Sequence, residues 1–318
     1  MMRQLNLATP GKCTGIALIT VLWVTALMAI VVGSLSSTIR TESTMVGSLV
    51  KVSAAKNAAI GGVYLASYHL MQMSPESRWS GDGSINEKPI GQALVRMSIV
   101  DEAGKLDLNF VQLDVLRNLL IAADVDSERV DMIADAILDW RDADEFTRLN
   151  GAEDRDYEMA GYPYGAKDSL FESIDELQLV MGVDQVLYSK LKDSVTVYSK
   201  RSDINPQVAS RYVLLAITNN DVDSVDSYIS LRNANRLTGL PPPPAPMLAK
   251  SHLSAAGGKV YTIYSEAKIE GDVYSRVSST LSTHRNIPAT PIDFIVWRDS
   301  GIQLFERITL NENTPQGI

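Results

Sequence analysis

The fold of this chain of 318 residues is decided by the stretch Thr14-Gly15-Ile16-Ala17-Leu18-Ile19-Thr20-Val21-Leu22-Trp23-Val24. This stretch opens a charge-free run that continues to Ile39 and is bounded by Lys12 and Arg40. About 18 consecutive apolar residues are enough to cross the hydrocarbon core of a bilayer as an α-helix. Residues 16–35 reach that length without a proline, so the run predicts a membrane anchor.

The segment before the anchor is short and polar, and it carries Arg3 and Lys12 without an acidic residue. A secretory signal is cut after its apolar region at a small-x-small site. The residues after this run, Ser36-Ser37-Thr38-Ile39, offer no such site. The sharp junction instead precedes the run, at Gly15. By the positive-inside bias, the leader stays in the cytoplasm and the rest of the chain crosses the membrane.

The junction of Gly15 with Ile16-Ala17-Leu18-Ile19-Thr20 resembles a type IV prepilin-like processing site. The resemblance implies that a prepilin peptidase cuts after Gly15 and methylates Ile16. Most members of that class have glutamate as the fifth mature residue, where this chain has Thr20. In filament-forming pilins the glutamate meets the N-terminal amine of a neighbouring subunit, which lowers the cost of a charge in an apolar helix. A subunit without it is suited to the top of a filament.

A prepilin-like junction without the glutamate is similar to the K-type minor pseudopilins of type II secretion. This resemblance implies a single-pass protein of the bacterial inner membrane with most of its chain in the periplasm. The implied partners are other minor pseudopilins, of the I and J types, and the inner-membrane secretion platform. The implied function is to cap the pseudopilus and nucleate its assembly, for protein export across the outer membrane.

The alternatives left open are a minor pilin of a type IV pilus, a membrane-tethered metal-dependent enzyme and a DNA-binding uptake factor. The net charge of −9 argues against nucleic acid and anionic lipid as partners. No catalytic residues are predicted, because His69, His252 and His284 are scattered and the single cysteine, Cys13, lies in the leader. We therefore expect a protein that is not an enzyme.

The expected fold class is α/β (α+β) and pilin-like: a long N-terminal helix packed on an antiparallel sheet, with a large all-α insertion. The predicted domains are a leader (1–15), a transmembrane and packing helix (16–73), the first part of the head (74–110), the insertion (111–240) and the second part of the head (241–318). At about 1.5 Å per residue, the first helix would be roughly 85 Å long.

Within the head, the composition predicts a loop over residues 73–89 and a hairpin of strands over residues 93–100 and 105–108. After a stiff proline-rich segment at 239–246, alternating apolar residues predict strands at 260–269, 273–282 and 292–298. Within the insertion, short amphipathic helices are predicted at 113–121, 129–140, 174–181, 186–191 and 208–217, and a helix start is predicted at Asn205-Pro206. The paired helices resemble helix-hairpin-helix modules, which K-type family members insert into the pilin head.

Acidic residues crowd one segment of the insertion, with Asp139 just ahead of them. Crowded carboxylates repel one another, and a hard cation such as Ca²⁺ relieves this best because it takes oxygen ligands. The spacing does not follow the EF-hand pattern, so from the residues alone a solvated acidic loop fits equally well. The candidate metal ligands are Asp142, Asp144, Glu145, Glu153, Asp154 and Asp156.

The K-type resemblance favours calcium over the solvated loop. Family members show a similar pattern, which this chain matches with Trp140, Asp142, Asp144, Gly151-Ala152-Glu153-Asp154, Tyr157, Pro163-Tyr164 and Glu176-Leu177. The resemblance implies a calcium ion held by this segment. One departure is Asp168, where asparagine is common, and it leaves the role of that residue open.

Overall fold

The structure is a computed structural model that describes residues 16–74, 76–247, 252–254, 257–283, 292–300 and 304–305. The helices are α1 (Ile16–Leu70), α2 (Leu113–Ala122), α3 (Ser127–Arg141), α4 (Asp154–Met159), α5 (Gln185–Leu191), α6 (Arg211–Ile217) and α7 (Val222–Thr238). The strands are β1 (Asp82–Ile90), β2 (Ala93–Asp101), β3 (Leu106–Asp107), β4 (Val195–Thr196), β5 (Val260–Ile269), β6 (Val273–Ser282) and β7 (Asp293–Arg298).

Helix α1 is one uninterrupted helix of 55 residues, with two different environments along its length. Its first part is exposed throughout residues 17–54. From Ala55 onwards, residues three or four apart form a buried stripe that packs on the sheet: Ala55, Ala59, Val63, Ala66 and Leu70. This spacing places the stripe on one helix face. The predicted helix is therefore present, and it shows no break at Gly61-Gly62.

Gly62 marks the closest approach of α1 to the sheet. A Cβ atom built at this position would lie 2.3 Å from Ser265 Oγ and 2.8 Å from Val95 Cγ1. At neighbouring Gly61 the nearest atom, in Ile90, is 3.6 Å away. Only glycine fits at 62 without displacing the sheet, although glycine weakens a helix interior by up to about 1 kcal/mol. The helix accepts this residue because it allows close packing.

The five-stranded sheet has the order β1-β2-β5-β6-β7, and every neighbouring pair is antiparallel. Alternate residues point to opposite faces of a strand. One face packs against α1 through Val95, Met97, Ile99, Ile263 and Val277. The strands predicted at 260–269, 273–282 and 292–298 correspond to β5, β6 and β7.

Two predictions around the first strands are wrong. The loop predicted over 73–89 gives way to β1 at Asp82; this outer strand is mostly exposed, so it lacks alternating apolar residues, and an edge strand tolerates Pro89. The hairpin predicted between 93–100 and 105–108 does not form. Strand β2 pairs with β1 and β5, while β3 pairs in parallel with β4.

The side chain of Asp101 explains why the chain leaves the sheet at the end of β2. Its carboxylate accepts hydrogen bonds from the backbone N–H groups of Ala103 (2.9 Å) and Gly258 (2.8 Å). The first bond caps a 3-10 turn at Glu102–Gly104, and the second holds the segment that returns to β5. The helical insertion thus begins and ends beside the same carboxylate.

The insertion has an apolar core of its own, built around Leu119, Ile133, Ile137, Leu177 and Leu214. Helices predicted at 113–121, 129–140 and 186–191 are present as α2, α3 and α5, while residues 174–179 form a 3-10 helix. The predicted domain boundaries stay a prediction.

The predicted helix start at Asn205 is wrong. Its side chain accepts a hydrogen bond from the N–H of Gln207 (3.1 Å) and closes a turn, so α6 begins only at Arg211, behind the Ser210 cap. Helix α7 was not predicted, because it is polar and buries only Val225 and Tyr228.

Candidate functional site

The acidic segment lies where α3 ends, and it runs without regular structure from 142 to 153 before α4 begins. Aromatic rings from residues on both sides of this segment pack against one another. The centroid of the Trp140 ring lies 5.9 Å from that of Tyr157, 6.4 Å from that of Tyr164 and 6.3 Å from that of Phe171. The buried Tyr157 hydroxyl also accepts a hydrogen bond from Met181 N (2.9 Å). The two ends of the segment are therefore held by packed aromatic residues.

Arg141, the last residue of α3, donates hydrogen bonds to backbone carbonyl oxygens rather than to the acidic side chains. Its guanidinium donates to the carbonyl oxygens of Leu108 and Val111, the latter at 2.9 Å. Of the neighbouring cations, Arg148 does reach the acids: its Nε lies 3.1 Å from Asp139 Oδ1 and its Nη2 lies 3.4 Å from Asp142 Oδ2. The guanidinium that serves the cluster is thus that of Arg148.

Several buried carboxylate oxygens of this segment accept no hydrogen bond. Glu153 is 4% exposed, and neither of its carboxylate oxygens has a hydrogen-bond partner. One oxygen each of Asp142 and Asp168 is in the same position, whereas Asp139 Oδ1, which also lacks a hydrogen bond, pairs with the Arg148 guanidinium. Buried carboxylates without partners are costly, and native proteins keep few of them. Their grouping indicates a site that a cation would complete.

Asp139 is enclosed most completely, with a fully buried side chain. Its Oδ2 accepts a hydrogen bond from the backbone N–H of Arg148 (3.2 Å). A Cβ atom at Gly151 would lie 1.9 Å from this same oxygen. Glycine at 151 is therefore required for the segment to close around the carboxylate.

Burial and mutual repulsion raise the pKa values of these acids. Burial raises the pKa of Glu153 to about 7, and the charges of Asp139, Asp142 and Asp168 add to the effect. Burial likewise raises the pKa of Asp139 to about 6, with a further contribution from Asp142. The pKa of Asp168 is raised by burial and then by Asp154, Glu145 and Asp142. One arginine does not neutralise this concentration of negative charge.

The structure gathers most of the predicted acids but assigns them different environments. The charges of Asp142 and Asp144 raise the pKa of Glu153. Those of Asp154 and Glu145 instead raise the pKa of Asp168. Asp156 instead accepts a hydrogen bond from Glu153 N (3.1 Å). The metal-ligand assignment of all six residues stays a prediction.

Two acids outside the predicted set, Asp139 and Asp168, belong to the cluster. Asp139 lies four residues after Asp135, and both are buried on the same face of α3. The spacing of these two aspartates is the sequence signal by which Asp139 can be identified. Asp168 has a positive φ of 53° and comes from a separate loop, so only the fold brings it to the site.

The donor set fits a hard cation. All of the orphaned oxygens belong to carboxylates, and calcium takes about six to eight oxygen ligands in irregular arrangements. Among the residues that the structure describes, no three His, Cys, Asp or Glu side chains lie in an arrangement that could hold a metal as it stands. The argument for a cation at this site therefore rests on the carboxylate oxygens that lack hydrogen bonds and on the excess negative charge.

The second candidate region is the exposed part of α1. Within the described residues, this is the one helix long and apolar enough to span a membrane, with a mean hydropathy of 2.4 over its most apolar window. Thr20 lies in this part, and its hydroxyl donates to the carbonyl of Ala17 (2.9 Å) in the same helix. The predicted cleavage residue Gly15 lies outside the described residues, and α1 begins at Ile16.

Comparison with known proteins relates the region that contains the acidic segment to one family. The family model of type II secretion system (T2SS), protein K, matches residues 97–200. A type II secretion system protein K of Pectobacterium carotovorum is 38% identical over 77 residues, which is 24% of each chain. That of Pseudomonas aeruginosa is 26% identical over 245 residues, covering 69% of this chain and 72% of its own length. The first of these matches thus spans about a quarter of the relative.

A solved structure shows the same fold. A chain in the crystal structure of the GspK-GspI-GspJ complex from the enterotoxigenic Escherichia coli type 2 secretion system matches with a TM-score of 0.56 and 17% identity. The match covers 83% of this chain and 99% of that one. The fold therefore defines a pilin-like protein with a helical insertion, as the sequence predicted.

The family model, the named relatives and the fold agree. Residues 97–200 match the protein K family of type II secretion, and the named relatives and the fold are similar to protein K as well, which confirms the K-type resemblance of the sequence.

Proposed function

We propose that this chain is a minor pseudopilin that caps the pseudopilus and nucleates its assembly for protein export across the outer membrane. The observation that carries the proposal is the environment of Thr20. On the exposed part of α1, this residue offers no carboxylate to a neighbouring subunit, and its hydroxyl is used within its own helix. A subunit of this kind is poor at joining beneath another, but the top position does not require that contact.

We propose that the partners are the I- and J-type minor pseudopilins, which would pack side by side with α1. Support comes from the solved complex of three such components and from exposed apolar residues on α1, among them Met45, Leu49 and Val50. Apolar surface of this kind marks an interaction site.

Co-purification tests this packing with the full chain and both partners in detergent. A defined three-component complex is expected, and Leu49→Glu should break it because it buries a charge in the contact. Leu49→Met is the control, since it keeps the apolar volume. If Leu49→Glu assembled as well as the original chain, α1 would not be the contact.

We propose that the chain is anchored in the inner membrane with its head in the periplasm, and that the secretion platform of that membrane receives it. A prepilin peptidase would cut after Gly15 and methylate Ile16. Mass spectrometry of the mature protein should find N-methylated Ile16 as its first residue. A mature chain that retained residues 1–15 would contradict this processing.

We propose that the acidic segment binds calcium. The ion would be held by Asp142, Asp144 and Glu153, with Asp139 and Asp168 close by, and it would supply the positive charge that these carboxylates lack. Isothermal titration of the full chain should give heat with calcium, and melting should shift upwards. Glu153→Gln should weaken binding at least tenfold, which is about 1.4 kcal/mol.

Glu158→Gln is the matched control for this titration, because Glu158 is an exposed acid on the same helix α4. It should bind calcium as the original chain does. Equal loss in both variants would show that calcium responds to overall charge, and no heat in the original chain would contradict the site.

We propose a structural role for this protein rather than catalysis. The family is named for a secretion component, and the His69 side chain has a packing role: its ring stacks on Trp79 with centroids 4.3 Å apart, and its Nδ1 is hydrogen-bonded to Ser77 O (2.9 Å). The acidic charge disfavours DNA. Salt-sensitive binding to duplex DNA would contradict this proposal.

A further inference from the structure

Strand β7 extends the sheet beyond the part that α1 covers. It is the last strand of the sheet, and the buried core beneath α1 uses residues of β2, β5 and β6, such as Val95, Ile263 and Val277. Neighbouring strands lie about 4.8 Å apart, so a helix about 10 Å across covers two or three of them. The α1 side of β7 therefore forms a ledge beside the helix.

Two aromatic residues of β7 line this ledge. Trp297 and Phe294 pair with Ser279 and Leu281 of β6, which lie on the same side of the sheet as Val277, the side that α1 covers. The register of β7 shifts between the two pairs, and such an irregularity places both aromatic side chains on one side of the strand. Phe294 is 41% exposed and Trp297 is 37% exposed.

Tyr64 of α1 completes an aromatic cluster with these two residues. Its ring centroid lies 5.6 Å from that of Phe294 and 6.0 Å from that of Trp297, and the latter two are 5.7 Å apart. Tyr64 is itself 56% exposed. Contacting rings hold one another in place, and exposed aromatic residues are enriched in protein interfaces. We call the surface of Tyr64, Phe294 and Trp297 the β7 shelf.

The opposite edge of the same sheet face is polar. On β1, Asn86 and Lys88 pair with Met97 and Val95 of β2, so their side chains point to the α1 side of the sheet. Lys88 is exposed, and burying a lysine without a partner is costly. The two flanks of α1 therefore differ in chemistry, and the β7 flank is the one that fits an apolar partner.

The dimensions of the β7 shelf match a helix that runs beside α1. Packed helices lie about 8–10 Å apart, which is about two strand spacings, so a helix next to α1 would lie over β7. The apolar surface also continues along α1, since exposed Val46 and Leu49 lie about five and about four turns before Tyr64. A contact of this length requires a partner element parallel to α1.

We propose that the β7 shelf receives the long N-terminal helix of one neighbouring minor pseudopilin, side by side with α1. This inference rests on the proposed I- and J-type partners and assigns one of them to a particular flank of α1. A partner anchored in the same membrane would carry its helix in the required direction. Asp299 follows β7 and pairs with Lys56 of α1 at 2.7 Å, which gives the shelf part of a polar rim.

Photocrosslinking of the full chain with both partners in detergent tests the flank. The crosslinking residue p-benzoylphenylalanine, placed at Phe294, should form a product with the helix of a partner, identified by mass spectrometry. The same residue placed at Lys88 is the matched control, because Lys88 is exposed on the same sheet face beyond the other flank of α1. It should give no such product.

Two results of the crosslinking would overturn the proposal. Products from Lys88 and none from Phe294 would place the partner on the other flank. Products from Phe294 with a second copy of this chain, and none with a partner, would show that the shelf has a different occupant. The replacement at Phe294 keeps an aromatic ring, so the result does not depend on removing a packed side chain.

The affinity of the complex measures what the rings contribute. Trp297→Ala should weaken assembly at least about tenfold, because central aromatic residues carry much of the binding energy of an interface. Tyr274→Ala is the matched control: Tyr274 is also 37% exposed, but its ring packs on Phe305 on the other side of the sheet. It should assemble as the original chain does, and equal loss in both variants would overturn the shelf.

The outcomes separate this inference from the proposed partners. If the original chain forms no complex with the I- and J-type pseudopilins, both the partners and the shelf are overturned. If the complex forms and Leu49→Glu breaks it, but Trp297→Ala assembles normally and Phe294 gives no crosslink, the shelf alone is overturned.

Discussion

Glu153 shows most directly how single residues determine the acidic segment. It is buried, neither carboxylate oxygen has a hydrogen-bond partner, and its own N–H is bonded to Asp156. The fold places it there as the N-cap residue of α4. A residue held this firmly cannot move to solvent to recover its hydration. It must take a proton or a cation.

The pH dependence of stability follows from the pKa of Glu153. Its ordinary value of 4.5 is raised to about 7 in the folded chain, so the folded state binds the proton more tightly than the unfolded state. This contribution to stability is fully present below pH 4.5 and is lost as the pH rises to about 7. Melting temperatures in chelator should therefore fall over this range more steeply for the original chain than for Glu153→Gln.

Calcium should reverse this trend, because it stabilises the ionised form. Its stabilising effect should be larger at pH 7.5 than at pH 5. Glu158→Gln should behave as the original chain at both values. A calcium effect independent of pH would show that Glu153 is not among the groups that bind it.

At the scale of elements, α1 combines an exposed apolar half with a packed half, and Gly62 decides how closely the packed half lies on the sheet. Gly62→Ala should destabilise the head by about 1–3 kcal/mol, because its Cβ overlaps Val95 and Ser265. Gly61→Ala should be neutral or should stabilise by up to about 1 kcal/mol, because there is room for the methyl group and alanine favours helix.

Urea unfolding of the two glycine variants provides the measurement. The unfolding midpoint of Gly62→Ala should fall, while that of Gly61→Ala should not. Equal destabilisation in both would indicate that helix propensity or backbone entropy, rather than contact with the sheet, determines the effect.

The elements that sequence predicts well are those with one clear buried face. Strands β5 and β6 were predicted over their full lengths because their residues alternate, and α1 because its apolar residues recur every three or four positions. Strand β1 was missed because an exposed edge strand needs no such pattern. Helix α7 was missed for a similar reason, with only Val225 and Tyr228 buried.

The candidate site was predictable where its residues are consecutive. The run from Asp142 to Asp156 identified the acidic segment, but not which oxygens it leaves without partners. Asp168 joins from a loop beyond α4, and Arg298 contacts Asp175 from a strand 123 residues further along the chain. Spacing alone does not show such contacts, because they depend on how the insertion folds back on the sheet.

At the scale of the whole molecule, the chain has three parts with separate tasks. The exposed part of α1 is long and apolar enough to span a membrane, the sheet packs against the rest of α1, and the insertion contacts the sheet on the face opposite α1. In the capping role that we propose, this arrangement would present the insertion outward from the filament end.

The identity of residue 20 should control the position of the subunit. Thr20→Glu restores a carboxylate and should let the subunit join beneath others, so that it enters the body of the filament. Thr20→Ser keeps a hydroxyl that bonds within the helix and should remain at the tip. Labelled subunits in isolated pseudopili provide the comparison, and an unchanged tip position of Thr20→Glu would mean that another feature excludes the chain from the body.

The position of the original chain in assembled pseudopili tests the central claim most directly. A gold label on the helical insertion, imaged by electron microscopy, should appear at one end of each filament and nowhere along its length. Labels distributed along the filaments would contradict a capping subunit.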